Sequence, residues 1–215
     1  MKLSVRQAAA VLGVPETRVY HWVDADEIPF VMLDQQPRFH RLELLEWAME
    51  NELPLTVDLY ETAADRPLTA ALERGGGHAH AGPLPGVADY LPIADERERA
   101  RVRAVLGARA PIAFVHRHEV GIALQRPSSP LICSDSPASV TLYWCDPAVP
   151  LGDKAATTLF LIVTPTTEQH LQLLSRLSLA LYDGALRAAA VRKDGFSELC
   201  AQVRRWEATA SEQMP

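Results

Sequence analysis

The sequence predicts two units: a small, mainly α N-terminal domain carrying a two-stranded wing, and an α/β C-terminal domain in which a mixed sheet is flanked by helices. Three observations predict them. In the first fifty residues, two short stretches of helical apolar spacing are divided by Gly13 and Pro15, then give way to the strand-like run Ile28-Pro29-Phe30-Val31-Met32-Leu33. Over residues 54–92 the texture turns to prolines and glycines. The C-terminal half then alternates strand-like and helix-like stretches.

At 215 residues the chain has room for one large domain or a small one joined to a medium one. Hydrophobic residues at 48% and charged residues at 22% exclude a disordered or collagen-like chain. The longest apolar runs, such as 158–163, fall far short of the roughly 20 residues a membrane helix needs, so no membrane insertion is expected. The start, Met1 to Gln7, meets Lys2, Arg6 and Gln7 before any long apolar stretch, which is unlike a secretory signal; the expected location is the cytoplasm. Cys133, Cys145 and Cys200 are odd in number and lack CxxC spacing, which points to buried free thiols. A net charge of −6 argues against nonspecific coating of nucleic acid and leaves room for a small specific reader.

Taken in order, Ser4 reads as the N-cap of a helix with Val5, Ala9 and Leu12 on one side and Gly13 as its stop. Pro15 fits the first turn of a second helix with an apolar stripe of Val19, Trp22 and Val23. Two helices around a turn of three or four residues have helix-turn-helix geometry. The wing follows, with a turn at Asp34-Gln35-Gln36-Pro37 and a second strand at Arg38-Phe39-His40. A last helix places Leu42, Leu45 and Met49 together.

These fifty residues resemble the excisionase and MerR-type helix-turn-helix domains, through SVRQAAAVLGVPETRVYHWV, the wing opening EIPF and the closing RFHRLELLEWA. The resemblance implies a winged helix-turn-helix whose second helix enters a major groove of DNA. The contacts it implies are Arg6, Thr17, Arg18, Tyr20 and His21, with Arg38 on the wing approaching the phosphates. Trp22 and Phe39 are expected in the core. Five Lys/Arg against eight Asp/Glu in residues 1–50 neutralise few phosphates, so tight binding calls for two copies, implying a homodimer or a partner. The other reading of the segment is a protein-docking module.

Between the units, residues 54–92 read as a hinge plus an entry segment to the second domain, with one short helix at 68–73, where Gly75-Gly76-Gly77, Pro83, Pro85 and Gly86 form turns. Residues 95–106 read as a surface helix, 140–144 as a strand and 158–163 as a buried strand. Residues 167–182 read as a long helix striped by Leu171, Leu174, Leu177 and Leu181 and capped by Thr166 or Thr167, and 197–206 as a last helix. His78, His80, His116 and His118 have no Cys or acidic residue at matching spacing, so no metal and no cofactor are expected.

Residues 68–206 resemble the enzyme IIA domain of the fructose, mannitol and nitrogen-regulatory branch of the bacterial phosphotransferase system. The match runs through LTAALERGG, PLPG, GIAL, PSSPL and above all TTLFLIVTPTTEQHLQLLSRLSLAL. The expected division is 1–51 for the helix-turn-helix, 52–66 for the linker, 67–208 for the IIA-like domain and 209–215 for a tail. In that family a histidine in a Gly-Ile-Ala-Ile-Pro-His pattern accepts a phosphoryl group from a histidine phosphocarrier. Here the stretch is Gly121-Ile122-Ala123-Leu124-Gln125-Arg126, so Arg126 holds the acceptor position. A guanidinium stays protonated, with a pKa above about 12, and has no lone pair with which to attack phosphorus.

The family's Ser-Thr-Gly-Ile-Gly loop is replaced by Val115-His116-Arg117-His118-Glu119, and the loop at 149–156 reads as shortened; His170 matches the family's second histidine. Three readings follow from the resemblance. The domain is a pseudoenzyme that engages phosphotransferase-system proteins or an anionic effector, with Arg126 gripping an anion or carboxylate. Alternatively His116, His118 or His170 is a relocated acceptor and the N-terminal module docks proteins. The third reading is a structural dimerisation module.

Overall fold

The computed structural model describes residues 2–51, 53, 68–108, 112–114, 121–125, 130–151, 154–182, 184–193 and 195–212. The expected linker at 52–66, apart from residue 53, and the residues His116, His118 and Arg126 lie outside the described residues.

The N-terminal unit runs β1 (Lys2–Leu3), α1 (Val5–Leu12), α2 (Glu16–Asp24), β2 (Val31–Leu33), β3 (Gln36–His40) and α3 (Arg41–Glu50). Ser4 caps α1 as expected: its Oγ accepts the Gln7 N–H at 3.3 Å while Gln7 Oε1 accepts the Ser4 N–H at 2.9 Å, a reciprocal capping box. Gly13 ends the helix at φ 63°, the left-handed conformation that a side chain resists. Pro15, expected inside the first turn of α2, is instead its N-cap with extended ψ of 148°, and its carbonyl accepts the Arg18 N–H at 3.0 Å.

The wing differs in two ways from the sequence reading. Its turn is only Asp34-Gln35, both at positive φ (50° and 60°), a two-residue hairpin turn whose twist matches the flanking strands. The second strand therefore begins at Gln36 and includes Pro37, which is tolerated because β1 pairs with β3 only at residues 39 and 40. The sheet also has three strands, in the order β1-β3-β2, where two were expected. A two-residue β1 is too short for alternation to reveal it. Trp22 packs edge-on against Trp47 with ring centroids 4.9 Å apart, and Phe39 is fully buried beneath α1 and α3.

The C-terminal unit contains α4 (Leu68–Gly75), β4 (Gly77–His80), a 3-10 helix (Leu84–Tyr90), α5 (Glu96–Ala108), β5 (Ile112–Phe114), β6 (Ile122–Gln125), β7 (Leu131–Ile132), β8 (Ser139–Leu151), β9 (Lys154–Thr164), α6 (Thr167–Tyr182), α7 (Gly184–Arg192) and α8 (Phe196–Glu212). The sheet order is β4-β8-β9-β6-β5, with β7 also on β9. β4 runs parallel to β8, and β6 and β7 parallel to β9, while β8–β9 and β5–β6 are antiparallel, which gives the expected mixed sheet. Strand alternation sends Val140, Leu142, Phe160 and Ile162 into one buried cluster with α4, α6, α7 and α8. It sends Tyr143, Leu159, Leu161 and Val163 into a second cluster with the 3-10 helix and α5. β9 is thus buried on both faces, which is why 158–163 reads as a continuous apolar run.

Two stretches read from the sequence as turn and loop are packed or paired in this unit. Gly75-Gly76-Gly77, read as turn formers, delivers the chain into edge strand β4. A Cβ at Gly75 would stand 2.1 Å from the Val140 carbonyl oxygen, and one at Gly77 would stand 2.6 Å from the Phe196 ring. These glycines permit close packing. Residues 149–151 and 154–156, read as a shortened loop, are instead paired ends of the β8–β9 hairpin beyond a register shift between Trp144 and Val149. Among the described residues no helix is long and apolar enough to cross a membrane.

Candidate functional sites

The first site is the surface of the N-terminal unit. Arg6, Thr17, Arg18, Tyr20 and His21 are exposed, with Thr17, Tyr20 and His21 on one side of α2 at helical spacing. The Arg18 guanidinium lies 5.0 Å from the centre of the Trp22 ring, a cation–π contact that steadies the charge against the domain. Arg38 is half-buried on β3; its Nη2 donates to Gln36 Oε1 at 2.9 Å and its Nη1 to the Pro37 carbonyl at 3.3 Å. The structure thus presents the six expected residues on α1, α2 and the wing.

Sequence reasoning missed how the charge is distributed. Five of the eight acidic residues of this unit, Asp26, Glu27, Glu43, Glu46 and Glu50, line one groove of about 530 Å³ over Ile28, Pro29, Phe30 and Trp47. Most of the unit's acidity therefore collects in one groove. A second missed feature is β2, whose Val31, Met32 and Leu33 are all exposed, whereas alternation would bury every other one. β2 is an edge strand, and among the described residues no layer covers it.

The second candidate region is the edge of β9 at which parallel strand β6 ends and β7 takes over. β6 pairs with β9 through Leu124 and Phe160, and β7 takes up the same edge at Leu131 and Val163. Between them the fully buried Gln125 side chain accepts the Ile162 N–H through Oε1 at 3.3 Å and bridges the gap in the ladder. Arg126 follows Gln125 directly in the chain.

β9 runs into α6 through a short polar turn. The Thr164 hydroxyl donates to the Thr166 carbonyl at 2.9 Å, and Thr166 Oγ1 accepts the Gln169 N–H at 3.2 Å, capping α6 as the sequence suggested. One residue later stands His170, fully buried, with neither ring nitrogen hydrogen-bonded among the described residues. Burial lowers its pKa from 6.5 to about 4, because a dry site disfavours the imidazolium. At neutral pH it is an uncharged imidazole with one donor and one acceptor, in the first turn of a 16-residue helix whose N-terminal dipole favours anions.

Of the histidines weighed as metal ligands, the structure describes His78 and His80. His80 Nε2 lies 3.2 Å from the carbonyls of Gly82 and Pro83, and His78 Nε2 lies 3.2 Å from that of Gly75, with its ring 5.0 Å from Tyr90. Among the described residues no group of three metal-ligating side chains occurs. Cys133, Cys145 and Cys200 are buried free thiols, and burial pushes all three above the usual thiol pKa.

Residues 3–52 match the family model of a helix-turn-helix domain. No curated protein matches the chain. Among solved structures, the chain is similar to the mannitol-specific cryptic phosphotransferase enzyme IIA from Escherichia coli, at 12% identity and a TM-score of 0.48, over 65% of this chain and 99% of that one.

Proposed function

We propose that this chain is a cytoplasmic DNA-binding regulator whose C-terminal unit is a IIA-like sensor that has lost phosphoryl transfer. The DNA-binding half rests on the helix-turn-helix match and on the exposed Arg6, Thr17, Arg18, Tyr20 and His21. The loss of transfer is carried by a single observation, the guanidinium of Arg126 at the position where the resembled family has its acceptor imidazole. Arg126 grips an anionic effector or a carboxylate of a phosphotransferase-system partner. His170 is a poor relocated acceptor, since full burial keeps a phosphoryl donor from reaching it. The division at 52–66 and 67–208 and a homodimeric state belong to this reading. A dimer lets two weak readers share one DNA site.

For the DNA half, the test is binding of genomic fragments at several salt concentrations. The wild-type chain is expected to bind with a steep salt dependence. Arg18→Ala and Arg38→Ala are expected to lose about 1–3 kcal/mol each if they reach bases, or about one in salt slope if they reach phosphates, while keeping native circular dichroism. Binding that ignores salt, or is untouched in both variants, would mean that the domain docks proteins.

A further inference from the structure

At Leu68, the first described residue of α4, the backbone is held by a side chain from far along the chain. The first N–H groups of α4 have no partner within the helix, as at any helix start. They are taken by a residue 139 positions later: the Glu207 carboxylate of α8 accepts the Leu68 N–H through Oε1, and through Oε2 accepts the Thr69 N–H at 3.4 Å and the Thr69 hydroxyl at 2.7 Å. A carboxylate there also meets the positive end of the α4 dipole. The Glu207 side chain is only 15% exposed, and its Oε1 stands 3.9 Å from Nη1 of Arg176 on α6. One carboxylate therefore touches α4, α6 and α8 together. Leu68 is where the described chain resumes after the segment leading from the helix-turn-helix. Arg176 lies six residues beyond His170, about 9 Å along α6.

We propose that Glu207 is a latch that couples α6 to the first turn of α4. It fastens the point at which the chain arrives from the DNA-binding segment, and Arg176 sets how firmly the carboxylate is held. A shift of α6, the helix that carries His170, changes the grip on Leu68 and Thr69. The latch stands on its own geometry, whether or not Arg126 grips an anion.

Amide hydrogen exchange of the full chain tests it. In Glu207→Gln one acceptor oxygen becomes a donor facing the Thr69 donors, so exchange at Leu68 and Thr69 is expected to rise about tenfold, as for a lost helix cap. Central β8 and β9 amides are expected to change less than about twofold. Arg176→Met is expected to speed the same two amides several-fold in the wild-type background and to add nothing in the Glu207→Gln background, because its effect passes through that carboxylate. Thr69→Val, which keeps both carboxylate charge and fold, is expected to speed Leu68 several-fold. Unchanged exchange at Leu68 and Thr69 in Glu207→Gln would overturn the latch. So would an equal acceleration of β8 and β9, or an Arg176→Met effect of the same size in both backgrounds.

Discussion

Phe39→Ala is expected to unfold the N-terminal unit and abolish DNA binding. Phe39 is fully buried on β3, paired in register with Leu3 and covered by α1 and α3. Removing a buried phenyl ring costs about 3–5 kcal/mol, through lost transfer energy and the cavity left behind. A unit of about fifty residues stands at the low end of domain stability, roughly 5 kcal/mol, so the loss consumes most of it. Chemical denaturation followed through Trp22 and Trp47, which stack 4.9 Å apart, reads the unfolding directly. Phe39→Leu, which keeps most of the volume, is expected to lose less than about 1.5 kcal/mol and to retain DNA binding. Full binding by the alanine variant would show that the core is not organised around β3.

Acidification is expected to destabilise the C-terminal unit through His170. In the unfolded chain its imidazole takes up a proton near pH 6.5, whereas in the folded chain burial delays this to about pH 4. Between those values the unfolded state binds more protons, so the stabilisation present above pH 6.5 is lost progressively as pH falls toward 4. The full loss is on the order of 3 kcal/mol. Urea unfolding of the wild type and of His170→Leu between pH 7 and pH 4.5 measures it. The wild type is expected to weaken by about 2–3 kcal/mol more than the variant over that range. Parallel curves would mean that His170 is solvated or paired.

Much of this could be read before any coordinates. Ser4, Gly13 and the stripe of Val19 and Trp22 are local signals, and they place α1 and α2 because capping and periodicity act over a few residues. The bounds of α6 are legible for the same reason, with a capping Thr166 followed by leucines at regular helical spacing. What escaped depends on distant partners. β1 exists only because residues 39 and 40 lie beside it, and β4 only because β8 offers an edge at Leu142 to Cys145. The triple glycine looked flexible because its reason for being small, the Val140 carbonyl, is 65 residues away. α7, rich in alanine with a weak apolar stripe, gave no signal that could outweigh its surroundings.

The candidate sites divide along the same line. Surface residues on α2 follow from helical spacing, and all six expected contacts are accessible or half-exposed. The gathering of five carboxylates into one groove required knowing that the segment after α2 lies against α3. The Gln125 bridge to Ile162 and the dryness of His170 likewise required the sheet order and the packing of α6. The proposed place of Arg126 at the resembled family's acceptor position rests on the order GIALQR alone.

The substitution at Arg126 meets its most direct test in the intact mass of the full chain after incubation with phosphoenolpyruvate, enzyme I and the histidine phosphocarrier, read at alkaline pH where phosphohistidine survives. The account predicts a mass identical to that of the untreated protein. A chain that gains one phosphate, and loses the gain in His116→Ala, His118→Ala or His170→Ala, would contradict it.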